Sequence, residues 1–263
     1  MSSCGAVSSE SLVAKQPGVG KGKVAIVTGA NTGIGKHTAQ ALAQAGFNVV
    51  IAGRNLSALE TAKKDIESAL KSDGDGRITI LKSALDLSSA ESIKTYVHDF
   101  LEQKLPLHVL VNNAGAADVK GKTKEGLEYI MGVNWFGTFL LTSLLLDSLK
   151  ASAPARIVNV SSRLYAMGNI TLDNMDKVIH EGNGDPLQGY RDGKLGAVMH
   201  ARELARRYKD DKIYAFSLHP GIVATDMLGR HMGCCMRCVC FGLLGCCFRS
   251  PSQGASNTVL CAI

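Results

Sequence analysis

Tyr190 and Lys194 stand four residues apart in the run Tyr190-Arg191-Asp192-Gly193-Lys194, so on a helix a phenol and an ammonium share one face. A phenol with a free pKa of about 10 exchanges protons poorly near neutrality. A neighbouring ammonium favours the phenolate and draws that pKa toward the working range. The chemistry implied is proton transfer at a carbonyl or alcohol oxygen. The same spacing recurs at Tyr208 and Lys212, but there the tyrosine ends a helical pattern and the lysine abuts the next strand. Tyr190 instead starts a long helix after the fifth strand. Ser161 and Ser162 close that strand, where a hydroxyl can hold the substrate oxygen for Tyr190. Turn formation is the plainer role for a serine pair at a strand end.

A second constellation lies near the start of the chain. An apolar strand runs into Thr28-Gly29-Ala30-Asn31-Thr32-Gly33-Ile34-Gly35, and a helical pattern follows. Small residues there let helix N–H groups face a pyrophosphate, whose charge the helix dipole favours. The spacing is G-x3-G-x-G rather than G-x-G-x-x-G, and a tight strand–helix turn without a ligand would use the same glycines. The second strand ends Ala52-Gly53-Arg54-Asn55. A carboxylate at this point would accept the 2′-hydroxyl of NAD; an arginine in its place favours NADP, although a solvated surface arginine is the competing reading. Asp86 follows the third strand, either to accept from an adenine amine or to cap a helix.

The elements that position these groups are legible as alternating patterns. Residues 23–28, 47–52, 77–81, 107–112, 156–161 and 213–218 read as strands, rich in β-branched residues and nearly continuous in hydrophobicity, as strands buried on both faces are. Leu56, Leu59, Ala62, Ile66 and Leu70 form a helical stripe, and Ser88 with Glu91 makes a capping-box signature before Ile93, Val97 and Phe100. Further helical patterns cover 34–45, 133–150 and 192–208. Six rounds of strand and helix predict an α/β fold, a Rossmann-type doubly wound parallel sheet with helices on both faces. No composition break divides residues 23–263, and the polar, Ser/Gly-rich residues 1–22 read as a flexible lead-in.

Composition narrows the class. The 263 residues are 46% apolar and 20% charged, which excludes a disordered or collagenous chain. An excess of 29 basic over 23 acidic side chains is scattered, with no basic block, so nucleic acid is not an expected partner. Residues 1–22 lack the apolar core of a signal peptide, and Ser2 stands where myristoylation needs glycine. Six of the eight cysteines crowd into 234–247. Spaced disulfides are not built that way, which argues for a reducing compartment.

On these motifs together the chain resembles the short-chain dehydrogenase/reductase family. It carries TGANTGIG at 28–35, DL at 86–87, NNAG at 112–115, N-x-x-G at 134–137, VSS at 160–162, YRDGK at 190–194 and PGIVAT at 220–225. The resemblance implies a catalytic set of Asn134, Ser162, Tyr190 and Lys194. Tyr190 would be the acid/base, Lys194 would hold the nicotinamide ribose, Ser162 would bind the reacting oxygen, and Asn134 would bend its helix and position a water. It further implies cofactor contacts at Gly29, Asn31, Thr32, Gly33, Ile34, Gly35, Arg54, Asp86, Leu87, Asn113, Tyr190, Lys194, Pro220, Gly221, Val223 and Thr225. Arg191 and Gly193 depart from the small pair usual inside the Tyr–Lys motif.

The stretches at 106–115, 122–146 and 190–195 resemble the retinol-dehydrogenase-like and polyprenol-dehydrogenase-like branch. That likeness implies hydride transfer between NADP(H), rather than NAD(H), and an apolar alcohol, aldehyde or ketone of retinoid, polyprenoid or steroid type. A cofactor-binding but inactive sensor or interaction module is the alternative. Residues 226–250 are expected to form a substrate lid; the cysteines of 233–248 offer Cys235-x2-Cys238, but the second pair, Cys246 and Cys247, is adjacent and lacks a chelating gap, so no metal is expected. That segment suits peripheral contact with an internal membrane such as the cytoplasmic face of the endoplasmic reticulum, with its cysteines either acylated or used as small hydrophobes. By family comparison a seventh strand is expected to be missing after residue 263, as in a C-terminally truncated domain.

Overall fold

The computed structural model describes residues 7–70, 75–182, 184–223 and 248–263. Six parallel strands form one sheet in the order β3-β2-β1-β4-β5-β6: β1 (Val24–Thr28), β2 (Asn48–Ala52), β3 (Ile78–Thr79), β4 (Val109–Asn112), β5 (Ala155–Val160) and β6 (Ile213–Leu218). Register runs without slippage, Val24 opposite Asn48 through Thr28 opposite Ala52, and Ala155 opposite Ile213 through Val160 opposite Leu218. All five residues of β1 are buried. The near-continuous hydrophobicity has this cause: alternate side chains of one strand enter two different cores.

The first core takes Ala25, Val27, Val49, Ile51, Val109, Val111 and Val158 against Ala39 and Leu42 of α2 (Gly33–Gln44), Leu59 and Ile66 of α3 (Leu56–Ala69), and Val259 of a last helix, Pro251–Ala262. The second takes Val24, Ile26, Val50, Leu110 and Ile157 against Ile93, Val97 and Phe100 of α4 (Ala90–Glu102) and Leu141, Leu145 and Leu149 of α6 (Thr138–Ala151). Each fully buried aliphatic side chain contributes roughly 1.5–3 kcal/mol. Between α4 and α6 lies α5 (Tyr129–Met131), followed by a π-helical turn, Gly132–Gly137. The 23 residues Tyr129–Ala151 are long and apolar enough to cross a membrane, but more than half of an 18-residue window within them is buried inside the fold, as in a core helix.

Several boundaries differ from the sequence patterns. The cap of α4 is Ser89, whose side chain accepts from Ser92 N; Ser88 instead donates through both N and Oγ to Asp86 Oδ1 at 2.9 and 2.7 Å. Helix α8 runs Pro186–Arg207 from an Asp185 cap, with proline in its first turn, so Tyr190 sits a turn inside the helix rather than at its start. Strand β3, at one edge of the sheet, keeps only two residues paired with β2. Residues 7–22, expected as a free lead-in, are docked. Helix α1 (Ser9–Val13) buries Val13 in the first core, Ser9 Oγ meets Ser252 Oγ at 3.2 Å, and Glu10 pairs with His37 of α2 at 3.5 Å. Helix α7 (Met175–His180) precedes α8, and α9 is the last helix, Pro251–Ala262. The expected lid, residues 226–250, with its cysteine cluster, lies outside the described residues except for 248–250.

Candidate active site

Strand order reverses at β1, whose neighbours β2 and β4 lead the chain to opposite sides, and this opens a crevice at the carboxyl ends of the strands. A cavity of about 380 Å³ occupies it. Its floor is built by Thr28, the last residue of β1. Thr28 Oγ1 donates to Val111 O at 3.3 Å and accepts from Asn113 N and Ala114 N, each at 3.0 Å, which pins the loop after β4 across the crevice. Asn113 Nδ2 returns to Thr28 O at 2.8 Å.

The glycine turn is a cradle in which side chains do not fit. A Cβ at Gly35 would lie 2.4 Å from both Asn113 Nδ2 and Gly29 O, and one at Gly29 would lie 2.9 Å from Ala114 Cα. Gly29 and Gly33 also hold positive φ, 65° and 55°. Thr32 caps α2 without a side-chain hydrogen bond, so the first-turn N–H groups keep their capacity to donate. Glycine backbone at close approach, uncapped donors and a helix dipole together fit a pyrophosphate. Asn31, Thr32, Ile34, Arg54, Asp86 and Leu87 line the same cavity.

At the other end, β5 and α8 supply the groups expected to react. The two serines divide. Ser161 Oγ donates to Lys194 O at 2.9 Å and fastens α8 to β5, whereas Ser162 acts on the Tyr190 phenol, lowering its pKa, and accepts from Leu164 N at 3.3 Å at the head of a 3-10 turn, Arg163–Met167. Lys194 is buried, its Nζ donating to Val160 O at 2.9 Å and lying 5.6 Å from the Tyr190 ring. Burial pushes the ammonium pKa down to about 8. Burial also raises the Tyr190 phenol, against a smaller lowering by Ser162. The expected depression of the phenol by lysine is not what sets its direction here; loss of water does, as it does for the lysine.

Asn134 occupies the π turn with its amide fully engaged: Oδ1 accepts from Ala116 N at 2.7 Å and Nδ2 donates to Ala116 O at 2.9 Å. It thereby holds the loop that carries Gly115, where a Cβ would lie 3.1 Å from Asn134 Oδ1 and 3.3 Å from Lys194 Nζ. The unusual Gly193 has a packing reason. A Cβ there would sit 2.9 Å from Asn134 Cβ, and at Gly196 one would sit 2.3 Å from Trp135, so both glycines let α8 lie against the π turn. Asp192 is fully buried and accepts from Asn169 N at 2.7 Å, tying the segment after Ser162 to α8.

Of the residues expected at the site, the crevice brings together Gly29, Asn31, Thr32, Gly33, Ile34, Gly35, Arg54, Asp86, Leu87, Asn113, Tyr190, Lys194 and Pro220. Ser162 and Asn134 stand behind that lining. Gly221, with φ 87°, and Val223 lie beside it: Val223 pairs with Arg249, whose Nη1 donates to Pro220 O at 3.3 Å. Thr225 falls outside the described residues. Sequence reasoning missed Thr28, Gly115 and Tyr129 as site formers, and named Ser161 only as one of a pair of hydroxyls for the substrate oxygen. Thr28 and Gly115 stood inside quoted motifs; Tyr129 carried no local signal. The second Tyr–Lys pair lies far from the crevice, since Lys212 precedes β6 at the amino end of the sheet.

A sequence model of short chain dehydrogenases matches residues 23–173. Human retinol dehydrogenase 11 is 41% identical over 245 residues, which cover 92% of this chain and 73% of that protein. Mouse retinol dehydrogenase 12 is 38% identical over 247 residues, with the same coverage. Among solved structures, a metagenomic short-chain oxidoreductase in complex with NADP superposes with a TM-score of 0.60 at 26% identity, over 77% of this chain and 84% of that one.

Proposed function

The chain belongs to the short-chain dehydrogenase family, and on that premise we propose that it moves hydride between NADP(H) and an apolar alcohol, aldehyde or ketone, with Tyr190 as acid and base. It is an oxidoreductase. The observation that carries the proposed roles is the Tyr190 phenol, its pKa lowered by Ser162 and its ring 5.6 Å from a buried ammonium, at one end of a glycine-lined crevice. NADP(H) is supported by Arg54 at the end of β2, where no carboxylate stands to repel a 2′-phosphate, and by the NADP held in the metagenomic relative. The apolar substrate is supported by the likeness to retinol dehydrogenases. Action inside the cell beside an internal membrane suits such a substrate and forms part of the proposal.

When bound, the nicotinamide supplies the hydride in reduction and accepts it in oxidation. In reduction, Ser162 Oγ and the Tyr190 hydroxyl donate to the carbonyl oxygen and orient it. The phenol is protonated at neutral pH, and burial raises its pKa further, so Tyr190 is a proton donor in that direction. The Lys194 ammonium stabilises the phenolate as the proton leaves. Oxidation runs these proton steps backwards. Asn134 positions rather than reacts: it holds the Ala116 backbone and so sets the wall opposite Tyr190.

The test is NADPH consumption by purified protein with retinoid, polyprenoid and steroid carbonyls, beside Tyr190→Phe. The variant is expected to lose about 10²–10⁴-fold in turnover while still binding cofactor. Full activity in Tyr190→Phe overturns the assignment.

A further inference from the structure

Tyr129 lies in the stretch 122–146 without a role assigned to it, yet it lines the crevice on the far side. It opens α5, and Arg54 stands just past β2 on the opposite wall, 75 residues away in sequence. Arg54 Nη1 donates to Tyr129 Oη at 2.7 Å, and both side chains line the cavity. No ion pair among the described residues engages Arg54. A guanidinium carries five N–H donors, and only one is directed to the phenol; the phenol, having accepted it, keeps its own proton to donate. The pair therefore presents several converging donors, with a net positive charge, at the edge of the crevice. Asp86, the carboxylate in the same lining, has Oδ1 held by Ser88 N and Oγ in a local turn.

Such a pair recognises a phosphate dianion far better than a hydroxyl, because charge-assisted hydrogen bonds are the strong ones. Fixing the guanidinium beforehand also removes much of the ordering cost of binding. We infer that Tyr129 is a specificity-determining residue: it holds Arg54 across the mouth of the crevice and donates its own hydroxyl to the 2′-phosphate of the cofactor. This rests on the NADP(H) reading above and adds a second residue, from the other wall, to the choice between the two cofactors.

The experiment is equilibrium binding of NADPH and of NADH, followed by cofactor fluorescence and by calorimetry, on wild type, Tyr129→Phe and Arg54→Gln. Phenylalanine keeps the ring and removes only the hydroxyl. Tyr129→Phe is expected to weaken NADPH by about tenfold, the scale of one charge-assisted hydrogen bond, and to leave NADH unchanged. Arg54→Gln is expected to abolish the preference for NADPH. Unchanged NADPH affinity in Tyr129→Phe, or equal weakening of both cofactors, overturns the role of Tyr129 and leaves the NADP(H) reading standing. A wild type that prefers NADH overturns that reading and this inference together.

Discussion

Replacing Lys194 by methionine is expected to stabilise the protein at pH 7 while removing its activity. The ammonium is 5% exposed, and burial lowers its pKa from 10.5 to about 8. That difference corresponds to roughly 3 kcal/mol by which the folded state disfavours the charged form at neutral pH. Methionine has similar length and no charge. Its substitution loses the hydrogen bond to Val160 O, worth about 1 kcal/mol, so a net gain of roughly 2 kcal/mol follows. The sign with pH is fixed by linkage. Between pH 8 and 10.5 the unfolded chain still carries a proton that the native chain has released, so wild-type stability rises with pH through that window. The variant lacks this rise. Urea denaturation of both proteins across the lower part of that window measures it, below the range in which tyrosines ionise. A variant less stable than wild type at pH 7, or a wild-type profile as flat as the variant's, refutes the reasoning. On the proposed mechanism turnover is lost as well, because the charge that destabilises the resting fold is the one assigned to stabilise the Tyr190 phenolate. This is the usual exchange of stability for function at a buried catalytic group.

Gly35→Ala places a methyl 2.4 Å from Gly29 O and from Asn113 Nδ2. Since one of those atoms is backbone, the cradle must shift; calorimetry is expected to find cofactor affinity at least about tenfold weaker and melting to report a loss of roughly 1–3 kcal/mol. His200 lies buried beside Asn159 Nδ2 at 3.5 Å, and burial lowers its pKa from 6.5 to about 4. Between those values the unfolded chain binds a proton that the native chain refuses, so stability falls as pH drops from 6.5 to 4, by up to roughly 3 kcal/mol. His200→Gln is expected to flatten that acid limb in denaturation curves, and an unchanged limb counts against the assignment.

The sheet, the order of its elements and the glycine turn were legible in the chain because each depends on local pattern. Strands buried on both faces need long apolar runs, and a helix N-terminus facing a phosphate needs glycine where a Cβ would strike backbone. Tyr190 and Lys194 were legible for a similar reason, since four residues on a helix already bring them together. What depends on separation in sequence was not. That Ser161 fastens α8 while Ser162 meets Tyr190 is decided by which way the strand end turns over the helix. The tight seats of Gly193 and Gly196 exist only against the π turn of a different element. The docking of α1 on α2 and α9 depends on a helix almost the whole chain away. The meeting of Arg54 with Tyr129 required β2 and α5 to reach opposite walls of one crevice. By itself the sequence determined which groups could do the chemistry; the crossing of the chain at β1 decided which of them face one another, because only that reversal brings the ends of distant strands around a single cavity.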